Sequence, residues 1–171
     1  VETGSVKLGQ LFDLSFGVKT GDGQKFLTHD PIGSKCKKLL RGADIGRYSH
    51  EFKGEYVIYD PVAMRKNKIT ARPGTKERFE QPKVLMRDTG GGLMGDFDDG
   101  EFYQKDVIII TDRAKEVPKL KVLLALLNSR LMRYFYETTF PTLHVQRDEL
   151  TVLPVREDYV TNPDQKIVAL V

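Results

Sequence analysis

The stretch Leu120–Glu137, LKVLLALLNSRLMRYFYE, decides how the second half of this chain is read. Leu120, Leu123, Leu124, Leu127, Leu131 and Phe135 recur at the spacing that places apolar side chains on one helical face. Val122, Leu126 and Met132 broaden that face, so the helix is expected to be largely enclosed. Pro118 suits its first turn, and the pattern predicts a helix from Pro118 to about Glu137. Within it, Asn128 and Ser129 are expected to cap or satisfy backbone groups among packed helices. A polar connection follows, and then Leu150–Val155, LTVLPV, reads as an apolar strand ending at Pro154.

Upstream of the helix the pattern is one of short strands and turns. Leu11, Phe12 and Leu14 lead into Phe16-Gly17-Val18, and Thr20-Gly21-Asp22-Gly23 makes a tight turn before Phe26-Leu27. Asp30-Pro31 closes that unit. A second unit starts at Lys38-Leu39-Leu40, turns at Arg41-Gly42 and passes through Ile45 and Tyr48. Tyr56-Val57-Ile58-Tyr59 is a strand closed by Asp60-Pro61. Residues 62–82 form a polar, basic connection, too charged for a core helix and split by Pro73-Gly74. Lys83–Arg87 is another strand, stopping at Asp88-Thr89-Gly90-Gly91-Gly92. Leu93–Phe97 and Glu101–Thr111 are expected to form a hairpin about Asp98-Asp99-Gly100. Its Val107-Ile108-Ile109-Ile110 run is continuous and apolar, which predicts cover on both faces.

The far end reads as a second helix start, with Asn162 as cap and Pro163 at the first helical position. Its apolar pattern is still running at Val171, so the chain is expected to have been excised from a longer one. An intact mass of the native product ending at Val171 would contradict that expectation. The boundaries follow: one domain over 1–155, then the start of a truncated helix or linker over 156–171.

At 171 residues and 40% hydrophobic content the chain can build a real core. Apolar runs are too short for a membrane span, since Arg130 and Arg133 interrupt the best candidate. The first residues, VETGSVKLGQ, lack the basic start and apolar segment of a secretory leader. The lone Cys36 cannot form an internal disulfide or a metal cluster, and a cytoplasmic protein is the natural reading. The net charge of +3 is small, but its distribution is uneven. Lys35–Arg87 holds 14 Lys and Arg against six Asp and Glu, whereas Asp88–Asp112 holds seven acids against Lys105 alone. Such asymmetry suits one face to phosphates.

No catalytic constellation assembles. Asp88-Thr89-Gly90 matches the short aspartic-protease signature, but that chemistry needs two carboxylates sharing a proton. Asp96, Asp98, Asp99 and Glu101 lack the spacing of a calcium loop and read as a solvated turn. His29, His50 and His144 have no metal-ligand spacing. Thr20-Gly21-Asp22-Gly23 is not followed by the Gly-Lys-Ser/Thr of a phosphate loop. Neither an Asn/Asp-Pro-Pro-aromatic motif nor a glycine-rich S-adenosylmethionine turn is present.

Several blocks, in order, carry a resemblance. They are Gly17-Val18-Lys19-Thr20-Gly21-Asp22 with Phe26-Leu27, and Leu39-Leu40-Arg41-Gly42-Ala43-Asp44-Ile45-Gly46-Arg47-Tyr48. Phe79-Glu80-Gln81-Pro82-Lys83-Val84-Leu85-Met86-Arg87, Leu126-Leu127-Asn128-Ser129 and Leu153-Pro154 complete the series. Over about residues 9–155 the chain resembles the TaqI-like specificity, or target-recognition, domain of DNA methyltransferases and type II restriction–modification enzymes.

The resemblance implies an α+β fold: an irregular, double-β-helix-like strand region followed by a C-terminal helical hairpin. It implies sequence-specific binding of double-stranded DNA without bond chemistry in this chain. The catalytic domain, an adenine-N6 methyltransferase using S-adenosylmethionine, would lie elsewhere in the parent protein, with or without an endonuclease domain, and this chain would hold no cofactor or metal. The DNA-binding candidates are Lys19, Thr20, Arg41, Arg47, Tyr48, Arg87, Thr89, Thr142, His144 and Arg147. Tyr48 can contact a sugar or close the gap left by a flipped base, or simply pack. Arg41 can instead pair with Asp44 in a turn. Two rivals stand beside this reading: a protein–protein interaction module of the same fold, and a nuclease using the acids at 96–101.

Overall fold

The structure, a computed structural model, describes residues 4–90, 92–140 and 142–171. The sequence readings that touch residues 1–3, Gly91 and Pro141 lie outside the described residues at those positions.

From its start the described chain forms β1 (Ser5–Lys7), the helical turn α1 (Leu8–Leu11), β2 (Phe12–Phe16), α2 (Gly23–Phe26) and β3 (Leu27–Thr28). It continues through β4 (Cys36–Arg41), β5 (Ile45–Gly46), β6 (Ser49–His50) and β7 (Tyr56–Ile58) to α3 (Pro61–Asn67) and α4 (Lys76–Phe79). Next come β8 (Lys83–Arg87), β9 (Gly95–Asp98), β10 (Tyr103–Lys105) and β11 (Val107–Asp112). The remainder is mostly helical: α5 (Val117–Leu127), α6 (Arg130–Thr139), α7 (Arg147–Thr151), β12 (Pro154–Arg156), α8 (Glu157–Thr161) and α9 (Gln165–Leu170). The fold is mixed α+β.

Side chains alternate across a strand, so an unbroken apolar strand needs cover on two sides. β11 is that strand. It lies inside an antiparallel sheet of order β2-β11-β8-β9, with Ile109 opposite Leu85 and Ile108 opposite Met86. Ile108, Ile110, Val84 and Met86 point into one core with Leu120, Leu123, Leu124 and Leu127 of α5. Val107, Ile109 and Leu85 point into a second core with Leu39, Val57, Met64, Phe79 and Tyr103. That second core is backed by a sheet of order β10-β4-β7-β3, in which β10 and β4 run parallel. The molecule is therefore layered, with helices on one face of the first sheet and the second sheet on the other.

The chain crosses between the sheets at Asp106, which adopts φ +58 between β10 and β11. Asp is among the few non-glycine residues that tolerate this region. Two glycines let neighbouring backbone approach the crossover. A Cβ on Gly17 would lie 2.3 Å from the Gln104 carbonyl oxygen, and one on Gly42 would lie 2.5 Å from that of Asp106.

Several sequence expectations are corrected here. The helix expected over 118–137 is two helices, because Ser129 accepts a hydrogen bond from the Met132 N–H and starts α6 afresh. Leu131 is 78% exposed and Phe135 37%, while Tyr136 turns inward. The 93–111 hairpin does not form: β9 pairs with β8, and β10 leaves to join β4. Residues 62–82 contain α3 and α4, whose Met64 and Phe79 are buried. Leu150 lies in α7, so of the strand expected over Leu150–Val155 only Pro154 and Val155 are extended, in β12. Leu8–Leu11 is helical rather than extended. The cap of the last helix is Asp164, and Asn162 instead ends α8.

The acids at 96–101 are not simply a solvated turn. Lys83 and Asp98 form a buried ion pair at 2.6 Å. Asp98 also accepts from the backbone N–H groups of Gly100, Glu101 and Phe102 and from Gln104 Nε2. Asp96 contacts His50 Nδ1 at 2.6 Å. No helix among the described residues is long and apolar enough to cross a membrane.

Candidate nucleic-acid interface

Half of the Lys and Arg side chains of the basic segment 35–87 are held in ion pairs, with acids of the segment and of residues 98–101. Lys35 pairs with Asp60, Lys37 with Glu80, Lys38 with Glu101, Lys53 with Asp44 and Lys83 with Asp98. Arg41 makes a bidentate contact with Glu55 at 2.5 and 2.6 Å, and this carboxylate holds its guanidinium pKa above the ordinary value. Among the described residues, Arg65, Arg72 and Arg78 make no ion pair. The positive charge left for a partner is therefore concentrated on α3, α4 and the segment between them.

Those three arginines share one surface. They line a depression of about 460 Å³ together with Phe16, Gly17 and Arg147. Phe16 is 52% exposed and also borders two further depressions. One, of about 420 Å³, is lined by Lys19, Arg72, Asp88, Lys105 and Asp106. The other, of about 210 Å³, is lined by Asp88, His144, Gln146, Arg147 and Asp148. The Arg147 guanidinium sits over the Phe16 ring at 5.4 Å, a cation–π contact that fixes both side chains. Three depressions thus border one exposed aromatic, with arginines on one side and mixed polar groups on the other.

The polar side is built from two loops zipped together. Thr89 and His144 form an antiparallel bridge, and the Val145 N–H donates to the Asp88 carbonyl at 2.8 Å. Glu149 ties down the second loop by accepting from the Tyr136 hydroxyl and the Gln146 N–H. Burial, reinforced by Glu149, pushes the Tyr136 pKa up to about 12, so this tie stays protonated throughout the neutral range.

The ten sequence candidates fall into distinct groups. Lys19, His144 and Arg147 line these depressions. Thr89 bridges to His144 beside it, and the Thr142 hydroxyl is taken up by the His144 carbonyl at 2.9 Å. Arg87 ends β8 next to Asp88, with its guanidinium against Gly90. Thr20 is 3% exposed and packs inward, so its side chain is withdrawn from the contact surface. Arg41 is held by Glu55 rather than by Asp44, whose Oδ2 accepts from the Arg41 backbone N–H. Arg47 and Tyr48 form the tip of the separate β5–β6 hairpin and do not line the three depressions. Tyr48 holds φ +57 there, with its N–H bonded to the Gly95 carbonyl.

Sequence reasoning missed Phe16, Arg65, Arg72, Arg78 and Asp88. The available signal was the basic character of 62–82, but nothing in one dimension brings it to Phe16. Among the described residues no cluster of three or more His, Cys, Asp or Glu could hold a metal ion.

The family model of the TaqI-like C-terminal specificity domain matches residues 37–155, from β4 to β12. No curated protein matches the chain.

Proposed function

Because the chain belongs to the family of TaqI-like C-terminal specificity domains, we propose that it recognises a target sequence on double-stranded DNA and holds the duplex for catalysis elsewhere. The parent would be an adenine-N6 DNA methyltransferase or a restriction–modification enzyme, with S-adenosylmethionine bound by its catalytic domain. This chain would be its non-catalytic recognition module in the cytoplasm, with an endonuclease domain beside it where the parent is a restriction–modification enzyme. The family's irregular double-β-helix-like topology belongs to the same reading.

One observation carries the proposal. Arg65, Arg72 and Arg78, without ion-pair partners among the described residues, line one groove with Arg147 and an exposed Phe16. Arginines there suit phosphates, which set register without reading sequence. The zipped loops at 88–90 and 142–147 present carboxylate, imidazole and amide groups beside those arginines, the chemistry that reads base edges. The catalytic partner would then extrude the target base from the stack.

The test is binding of the chain to a randomised duplex pool at two salt concentrations, with sequencing of the retained DNA. Salt-sensitive binding that enriches a short motif is expected. No binding at low salt would overturn the proposal and favour an interaction module of the same fold.

A further inference from the structure

We propose that Asp88 is a specificity-determining residue that accepts a hydrogen bond from the exocyclic amino group of an adenine or cytosine in the groove around Phe16. The inference rests on the proposed DNA-binding function of that groove.

Asp88 lines two of the three depressions, on the His144 side and on the Lys19 side. It differs from the other carboxylates there, since Asp106 and Asp148 pair with Lys105 and Arg147 whereas Asp88 makes no ion pair among the described residues. The same surfaces carry Lys19, Arg72, Lys105 and Arg147, so a phosphate drawn to them would be repelled by Asp88. A base edge would not be. In the major groove cytosine N4 and adenine N6 are donors, and a carboxylate offers only acceptors.

The carboxyl group is also unsatisfied within the protein. Asp88 Oδ1 is enclosed and has no hydrogen-bond partner. The backbone at Gly42 closes against it, since a Cβ there would lie 3.3 Å away. Lys105 does not fill the need, because its Nζ pairs with Asp106 at 2.6 Å. Burial, and then the neighbouring Asp106, raise the Asp88 pKa above the usual carboxylate range. With Oδ1 closed off, Oδ2 is the oxygen left to accept from a base donor.

The position is rigid enough to read. Asp88 directly follows β8, and its carbonyl is held by the Val145 N–H at 2.8 Å. The Thr89–His144 bridge fixes the next residue. A side chain on so constrained a backbone reports base identity rather than adapting to it.

The experiment compares wild type, Asp88→Asn and Asp88→Ala in selection from the randomised duplex pool, with thermal melts confirming that each variant is folded. Wild type should enrich adenine or cytosine at one position. Replacing that base by an analogue lacking the amino group should weaken wild-type binding roughly tenfold and leave Asp88→Ala binding unchanged. Asp88→Asn, which keeps the shape and adds a donor, should alter the preference at that position only. The salt slope should stay the same in all three proteins. An identical motif in every folded variant would overturn the inference, as would uniformly tighter binding by Asp88→Ala, which would mark the carboxylate as a mere repulsive charge. Neither outcome touches the proposed function. Absence of salt-dependent binding by wild type would overturn both.

Discussion

Lys83 shows how far a single position can depart from its sequence pattern. It opens an apolar strand and has no solvent exposure, and burial pulls its pKa below the ordinary lysine value. Removing one partner of such a pair leaves the other charge enclosed, which typically costs about 3–5 kcal/mol. The two partners are not equivalent. Without Lys83, Asp98 retains three backbone N–H donors and Gln104 Nε2. Without Asp98, the Lys83 ammonium keeps only the carbonyls of Phe79 and Gln81. Asp98→Ala should therefore destabilise by about 3–5 kcal/mol in urea denaturation, and Lys83→Met by clearly less. Equal losses would refute this asymmetry. The strand itself was legible from Lys83-Val84-Leu85-Met86-Arg87, but the ion pair was not. A lysine before an apolar run ordinarily marks a strand edge, and only the fold of 98–104 brings a carboxylate beneath it.

At the scale of elements, the break between α5 and α6 explains the main error in reading the helical region. Asn128 and Ser129 do what their chemistry implied. The Asn128 side chain accepts from the Gly95 N–H at 3.0 Å and donates to its carbonyl at 2.9 Å, while Ser129 caps α6. A helical phase carried through such a break fails beyond it, so Leu127 is buried but Leu131 and Phe135 are not. A similar signal was present at Asp60-Pro61, where Asp60 accepts from the Ala63 N–H and Pro61 begins α3. There the charge of the following residues concealed a short helix that needs only Met64 to anchor it. The break makes a graded prediction. Ser129→Ala should cost about 1 kcal/mol, the usual worth of a cap. Asn128→Ala leaves the buried Gly95 N–H without its acceptor, while the Gly95 carbonyl keeps the Tyr48 N–H, and should cost roughly 2 kcal/mol. Thermal or urea unfolding that ranks Ser129→Ala as the more damaging would show that α6, rather than the clamp on β9, is the weaker joint.

The whole molecule is organised about the β2-β11-β8-β9 sheet, which has a core on each face, and the candidate interface forms where segments from both cores meet. Val107-Ile108-Ile109-Ile110 announced the double cover from sequence, because its apolar alternation has no solvent phase. The partners of that sheet were not announced: β10 pairs with β4 in the other sheet before the left-handed turn at Asp106 leads into β11, and pairing across such distances is set by tertiary packing. The groove was hidden for the same reason. Phe16, the arginines at 65, 72 and 78, Asp88 and the 144–147 loop are far apart in sequence and converge only after the sheets stack. Charge counting found the right region but overestimated it, since seven of its fourteen Lys and Arg side chains are held in ion pairs. The arginines left over make a quantitative prediction for DNA binding. Each phosphate contact contributes about 0.9 to the slope of log affinity against log salt. Combined Arg65→Ala, Arg72→Ala and Arg78→Ala substitution should lower that slope by roughly 2–3, weakening binding to every duplex sequence alike while leaving the enriched motif intact. The paired control is Lys35→Ala with Lys38→Ala, which removes basic residues already matched to Asp60 and Glu101. That variant should leave the slope nearly unchanged. A fall in slope for the control equal to that of the triple variant would mean that the basic segment acts as a diffuse field, and that the groove around Phe16 is not where the duplex lies.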